Sequence, residues 1–286
     1  MEKRMRKNAK PLVDFFVYCL LAVLGVLWVL PICYLLYTAL RVTPSTGIIN
    51  KLFPVGLKLG VGNFVRLFSQ TDFTKWLMNT LLVSMCSCAL TSLFILMVSY
   101  ALSRLRFRLR RPIMNVLLVL GMFPGFMSMI AVYFILKAMG LTNSLTALIL
   151  VYSGSAALSY YICKGFFDTL PRSMEEAAIL DGAGQLVIFW KITLPLAKPI
   201  IVYTVLTSFI SPWCDFIFVN TIISDREKYT VALGLYKMIN AEKNSFNDNF
   251  TVFCAGASVV GGIIVALFMS MQRYYVEGVT SGAVKG

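Results

Sequence analysis

Glu175 and Glu176 follow Ser173 by two and three residues in a polar stretch, 172–199, that separates two long apolar runs. Ser173 and Glu176 have the spacing of a capping box, in which hydroxyl and carboxylate each accept from the other's backbone N–H at a helix start. Both carboxylates then lie at the positive end of that helix's dipole. Ala177, Ala178, Ile179 and Leu180 propagate the helix and Gly182 ends it. A second short helix is expected over 185–191, closed off by Pro195. No bond-breaking chemistry belongs to this pattern. A short helix pair with a small, flat, alanine-rich face suits docking into a groove on another protein. The plainer reading is an amphipathic helix at a membrane surface with no partner. The other notable acid is Asp215, inside an apolar run that reads Pro212, Trp213, Cys214, Asp215, Phe216. A carboxylate within a membrane helix is costly to bury and marks a functional candidate.

Enzyme chemistry has little else to work with. The chain contains no histidine, which removes His-based triads, His proton relays and most zinc sites. Cys19, Cys33, Cys86, Cys88, Cys163, Cys214 and Cys254 lie in or at the ends of apolar runs, with no C-x-x-C pair. They read as small buried hydrophobes rather than a disulfide framework. No G-x-x-x-x-G-K-[ST] occurs, so the chain has no P-loop of its own for ATP. No catalytic residue and no metal site are expected.

The elements that position these acids are membrane helices. The chain is 58% hydrophobic and 14% charged, with several apolar runs longer than the roughly 18 residues that read as a membrane span. Its net charge of +13 gathers at the ends of apolar runs, where it orients a membrane protein, and no nucleic-acid-binding motif accompanies it. Lys3, Arg4, Arg6, Lys7 and Lys10 precede a first helix over 11–40, too long for a signal-peptide core and kinked by Pro31. A breaker-rich external segment, 41–75, includes Gly62, Asn63 and Phe64 ahead of a short amphipathic stretch. Further helices are expected over 76–103, 112–137, 144–164, 199–223 and 250–271. Trp76 reads as an interfacial anchor, and Ser84, Ser87, Ala89 and Ser92 as a small face for close helix packing. Pro124 and Gly125 interrupt the third helix. Arg104, Arg106, Arg108, Arg110 and Arg111 mark the turn before it as cytoplasmic. The fold class is an all-α integral membrane protein with six transmembrane helices, both termini and the 166–198 loop in the cytoplasm, and a polar external loop at 224–249.

Spacing sharpens the reading of the polar stretch. Glu176-Ala177-Ala178, Gly182 after three residues, Ile192 after nine more, and Leu194-Pro195 after one resemble the EAA loop of permease subunits in bacterial ABC importers. Phe166-Phe167, Leu170-Pro171, Asp181-Gly182-Ala183 and Leu194-Pro195-Leu196 look like the carbohydrate-importing branch of that family. The resemblance extends to Asn79-Thr80, Ala101-Leu102-Ser103-Arg104, Met122-Phe123-Pro124 and Gly140-Leu141-Thr142-Asn143. The closing residues 272–286 are similar to the tail of the second permease subunit in maltose-type importers, which can reach into the interface between the two ATPase subunits. Nearly the whole chain is covered, residues 1–60 least specifically. One departure is Trp213-Cys214-Asp215, where family members often carry Trp-Asn-Glu or Trp-Asn-Asp.

The resemblance implies an ABC importer permease fold: an arm, first helix and external loop at 1–72, a transport core at 73–272 with a coupling loop at 166–198, and a cytoplasmic tail at 273–286. It implies a permease subunit of an ATP-driven importer that moves an oligosaccharide or related carbohydrate across the bacterial cell membrane. A polyol, glycerol-phosphate or uronate-containing substrate is the alternative, and an ion-coupled secondary transporter is a rival with essentially Asp215 alone to offer. The implied partners are a second homologous permease, two ATPase subunits, an extracellular solute-binding protein and membrane lipid, without nucleic acid. The chain itself is then no enzyme and binds no cofactor; ATP and Mg belong to the ATPase. Glu175, Glu176, Ala177, Ala178, Asp181, Gly182, Ala183, Ile192, Leu194 and Pro195 would couple to the ATPase, the two glutamates pairing with basic residues near its groove. ATP-driven closure would move the loop as a lever and switch the core between inward- and outward-facing states. Phe123, Phe126, Tyr133, Tyr152, Tyr160, Trp213 and Phe216 are candidates for a path that stacks on sugar rings, or else pack against neighbours and lipid. Asp215 either accepts from sugar hydroxyls or pairs with a basic group on the partner permease. Tyr236, Asn240, Glu242, Asn244 and Asp248 in the external loop either meet the binding protein or stand in solvent.

Overall fold

The computed structural model describes the backbone over residues 2–42, 58–123, 125–240 and 245–283, and side chains over 14–42, 58–123, 125, 127–240 and 249–273. Among these residues the chain is helical apart from turns, with one antiparallel bridge between Arg41 and Leu59. In order, the helices are α1 (Glu2–Ala39), α2 (Gly62–Gln70), α3 (Phe73–Arg104), α4 (Arg110–Met122), α5 (Gly125–Ala138), α6 (Leu145–Gly154) and α7 (Ala157–Thr169). Next come α8 (Ser173–Leu180), α9 (Gln185–Ile188), a π-turn (Phe189–Thr193), α10 (Leu194–Leu196), α11 (Lys198–Cys214), α12 (Ile217–Ile222), α13 (Val231–Asn240) and α14 (Ser245–Ala283).

Three helical stretches are long and apolar enough to cross a membrane unbroken: Asp14–Ala39, Phe73–Arg104 and Asn249–Arg273. Three more pairs pass the same test only together, bent by 105° (Arg110–Met122 with Met127–Ala138), 43° (Leu145–Gly154 with Ala157–Thr169) and 87° (Gln185–Leu196 with Lys198–Cys214). By length and composition the described residues therefore hold three to six candidate spans, six if each bent pair counts as one. The break expected within the helix over 112–137 is present as the sharp bend between α4 and α5; Pro124 itself lies outside the described residues. The helix expected over 144–164 is instead two, because the chain leaves helical geometry at Ser155 and Ala156. The helix expected over 199–223 stops at Cys214 and resumes at Ile217. Such interruptions are tolerated at membrane depth where the freed backbone is buried in protein or lines a cavity.

The chain forms two compact units. One comprises residues 1–71 and 238–259. Within it, Asn63 is buried; its amide donates to the carbonyls of Ala39 at 2.9 Å and Arg41 at 2.6 Å, and its Oδ1 accepts from the Thr251 hydroxyl at 3.1 Å. The amphipathic stretch expected after Gly62 is α2, and the helix start is tied down by that asparagine.

The other unit comprises residues 72–237 and 260–286, and α3 is its hub, packing on α6, α7 and α11. The buried side chains of α3 come in adjacent pairs four residues apart: Val83 and Ser84, Ser87 and Cys88, Thr91 and Ser92, Ile95 and Leu96, Ser99 and Tyr100. One stripe thus faces protein along five turns. Its small residues let neighbouring backbones approach closely, and among the expected small face only Ala89 lies outside it, exposed. Toward the Arg104 end of α3, Ile95, Leu96 and Tyr100 pack with Cys163, Phe167, Phe189, Leu194, Ala197 and Ile200. Toward the other end, Val83 packs with Leu136, Ala147, Leu148, Phe218, Val219, Ile222 and Leu233. Trp76 is no interfacial anchor: it is 3% exposed, and the position a Cβ would take on Gly234 lies 2.1 Å from its ring. The absence of a side chain at Gly234 on α13 is what admits the indole.

Candidate functional site

The 172–199 stretch folds as two short helical pieces around a glycine turn. Gly182 has φ +83°, the left-handed region. The turn is a Schellman motif: Ala183 N–H donates to the Ala178 carbonyl at 2.9 Å and Gly182 N–H to that of Ile179 at 3.0 Å. The helix stop read from Gly182 is therefore present. The capping box is not. Ser173 is already the first helical residue, and the flanking Arg172 has helical dihedrals with no side-chain cap bond; an N-cap oxygen reaches the first-turn donors from a non-helical residue preceding the helix. Pro195 does not close the second helix either. The π-turn at 189–193 re-registers the backbone hydrogen bonds just ahead of it, Leu194 N–H bonding the Phe189 carbonyl, and the helical run continues to Leu196 before the chain bends at Ala197.

The two adjacent glutamates part ways. Successive residues on a helix point about 100° apart, and here Glu175 turns inward and Glu176 outward. Glu175 Oε1 accepts from Arg104 Nε at 3.0 Å and from the buried Thr193 hydroxyl at 3.0 Å. The two charged side chains are 4% and 11% exposed. Arg104 Nη2 also donates to the Leu170 carbonyl at 3.2 Å, while its buried Nη1 has no hydrogen-bond partner among the described residues. The Glu175 carboxylate is thus committed within the chain, where pairing with a partner's basic residue had been expected. Leu194 is buried against Tyr100 and Phe167 and holds the stretch to α3 and α7, while Ile192 is half-buried. Ala178 and Ala183 are half-buried. Glu176, Ala177, Asp181, Gly182 and Pro195 are exposed, beside Ile179, Leu180 (89% exposed), Leu186 and Trp190. A cavity of about 120 Å³ opens between Arg104, Arg172, Glu175, Glu176, Ile179, Gln185 and Ile188.

A second cavity, of about 130 Å³, lies at the break between α6 and α7. Its lining is Thr91, Tyr152, Ser155, Ala156, Ser159, Thr207, Ser208 and Ser211, seven hydroxyls and no charge. Of the expected path residues whose side chains are described, only Tyr152 lines it. Tyr152 donates to Asp215 Oδ2 at 3.0 Å, and Asp215 Oδ1 accepts from Phe218 N–H at 3.0 Å. Asp215 therefore satisfies a donor at the start of α12 and holds a tyrosine on α6, both within this chain. Phe216 stacks on Tyr236 at 4.7 Å. Trp213 is buried beside Phe209; Tyr133 and Tyr160 pack against separate apolar clusters; and Phe123 is exposed at the α4–α5 break. The side chains of Phe126 and Asp248, and residues Glu242 and Asn244, lie outside the described residues; Asn240 closes α13. The hydroxyls had a sequence signal, the i,i+4 pairs Ser155/Ser159 and Thr207/Ser211, which resembles any small packing face until two such pairs are brought together.

Asp215→Ala is expected to destabilise the purified protein by about 0.5–2 kcal/mol, the range for a lost cap. Asp215→Asn, whose amide oxygen still accepts from Phe218 N–H, is expected to lose less. Thermal unfolding in detergent ranks the two, and equal stability of Asp215→Ala and the parent chain would contradict the cap.

Comparison with known proteins places this architecture. Residues 93–278 match the family described as binding-protein-dependent transport system inner membrane component. The galactooligosaccharides transport system permease protein GanQ of Bacillus subtilis is 31% identical over 95% of this chain and 95% of its own length. The maltodextrin transport system permease protein MalD of Streptococcus pneumoniae is 33% identical over 80% of this chain and 81% of its own. Among solved structures, a bacterial ABC transporter involved in the import of the acidic polysaccharide alginate shares the fold with a TM-score of 0.77 at 22% identity, covering 93% of this chain and 98% of that one. The MetNI methionine ABC transporter aligns with a TM-score of 0.55 at 14% identity, over 75% and 97%. The helical spans, the glycine-closed turn between them and these matches over most of its length agree: the chain belongs to the binding-protein-dependent transport system inner membrane component family, and is a permease subunit rather than an enzyme.

Proposed function

We propose that this chain is one of two non-identical permeases of an ATP-driven importer for a neutral oligosaccharide. In this reading residues 73–272 form the transport core, both termini and the 172–199 stretch are cytoplasmic, and α8 seats in a groove of the ATPase subunit. The observation that carries it is the outward face of that stretch. Glu176, Ala177, Ile179, Leu180 and Asp181 stand exposed on or next to an eight-residue helix, with Leu186 and Trp190 alongside. Several exposed apolar side chains on a short polar segment, with the exposed carboxylates of Glu176 and Asp181 among them, suit a protein partner. The arginines at 104–111 favour the cytoplasmic side. For the substrate, the names of GanQ and MalD point to oligosaccharides. The uncharged hydroxyl lining near Tyr152 suits sugar hydroxyls, and favours a neutral saccharide over one bearing phosphate or uronate.

Purification of the tagged chain from native membranes tests the docking. The parent chain is expected to bring down an ATPase and a second permease, and Glu176→Lys, which inverts the exposed charge and leaves the buried Glu175 in place, to lose the ATPase at least tenfold. Full recovery with Glu176→Lys would remove Glu176 from the interface. Uptake by membrane vesicles of uronate-containing oligosaccharides alone, with no neutral ones, would reverse the substrate assignment.

A further inference from the structure

A lever needs a stiff joint to what it moves, and the chain on either side of α8 leaves the helix axis through turns and bends. Upstream, α7 ends in extended backbone at Leu170 and is followed by Pro171. Downstream, the chain turns at Gly182 and bends again by 87° before α11. The side-chain ties are of a different kind, and those to both flanks of α8 run from Tyr100, Ser103 and Arg104 at the end of α3. Arg104 bonds Glu175 on α8 and the carbonyl of Leu170. Ser103 donates to Asp168 on α7 at 2.6 Å, and Asp168 also pairs with Lys164. Tyr100 donates to Gln185 on α9 at 3.0 Å. The Glu175 oxygen that binds Arg104 also receives Thr193 from the π-turn. Three residues within five positions thus grip both flanks of α8, and the ion pair at the centre is almost wholly withdrawn from solvent, where charge pairs are screened least. The same five positions belong to the one helix that packs on α6, α7 and α11.

We propose that Arg104 is a positioning residue of the transport cycle: its buried clasp on Glu175 is the joint through which displacement of α8 reaches α3 and the helices packed on it. The inference rests on the reading that α8 docks on the ATPase. It assigns the neighbouring glutamates opposite duties, Glu176 outward to the partner and Glu175 inward to the membrane helix. It also gives the arginine's geometry a purpose. A guanidinium reaches two acceptors on different elements with one planar fork, which a lysine ammonium does not reproduce.

The test uses the importer reconstituted in proteoliposomes with its partner permease, ATPase and binding protein. It reads basal ATP hydrolysis, the stimulation of hydrolysis by the binding protein, and the amount of ATPase retained. Arg104→Gln is expected to keep the ATPase bound and basal hydrolysis within about twofold of wild type, and to lower the stimulation by roughly tenfold. Arg104→Lys should restore part of it, and the exchanged pair Arg104→Glu with Glu175→Arg more than either single exchange. Stimulation equal to wild type in Arg104→Gln overturns the proposal. Loss of the ATPase from that variant also overturns it, since the clasp would then merely shape the docking face. Failure of the docking reading itself is visible separately, as a wild-type complex that holds no ATPase at all.

Discussion

Gly182→Val is expected to reach the membrane in normal amount and to uncouple ATP hydrolysis from uptake, with transport reduced roughly tenfold or more. The reason is backbone conformation, not crowding. No atom lies within 4 Å of where a Cβ on Gly182 would stand, so a side chain has room. What it lacks is a tolerable backbone: φ +83° is left-handed, costs an ordinary L-residue about 1–2 kcal/mol, and is worse still for a β-branched one. The chain would relieve this by unwinding the turn, and the two Schellman bonds to Ala178 and Ile179 would go with it. The exposed face built from α8 and α9 depends on that turn for its shape. Gly182→Asn is the control, because asparagine visits the left-handed region readily, and it should keep most of the uptake. Uptake and ATP hydrolysis measured side by side decide the matter. Normal uptake by the valine variant would sink the coupling role of the turn, and equal failure of valine and asparagine would show that side-chain bulk matters after all.

Gly234→Ala is expected to be among the most destabilising single-methyl additions in the chain, at about 3 kcal/mol, the upper part of the range for overpacking. Here space is the whole argument. The added Cβ would stand 2.1, 2.3 and 2.7 Å from three ring atoms of Trp76, and the indole is rigid and buried on all sides. The strain would reach further, because Trp76 sits one turn from Thr80. The Thr80 hydroxyl accepts from Val231 N–H at 2.8 Å, and nearby Asn79 donates to the carbonyls of Glu227 and Tyr229. Thermal unfolding of the detergent-solubilised protein should show the loss, and Trp76→Leu in the same chain should recover most of it by emptying the contact. A double variant no more stable than Gly234→Ala would mean that the clash is not with the indole.

What was legible from the residues alone is what depends on neighbours in sequence. Apolar runs long enough to span a bilayer are a property of composition along the chain, and the spans are where those runs are. The sharp bend near Pro124 and the helix stop at Gly182 follow from residues that restrict or release the backbone locally. The loop's spacing, Glu176 to Pro195, was enough to identify the family, since every position in that pattern lies within two short helices and one turn.

Most of what the residues alone did not reveal depends on residues far away in the chain. Glu175 and Glu176 are indistinguishable as letters; Arg104, 71 positions from Glu175, and Thr193 decide which of them turns inward. Ser173 has the spacing of a cap, yet the chain is already helical at Ser173. Trp76 has the composition of an interfacial anchor and is buried because Gly234 leaves room for it. Asp215, unexplained in an apolar run, is answered by Tyr152, 63 positions away, and by the start of α12. The hydroxyl cavity exists only where serines and threonines of three separate helices meet. Local backbone preference and hydrophobic length act over a few residues and can be read in order. Which face of a helix is buried, and which polar group finds its partner, is settled by packing across the fold, and the chain expresses that only once it has folded.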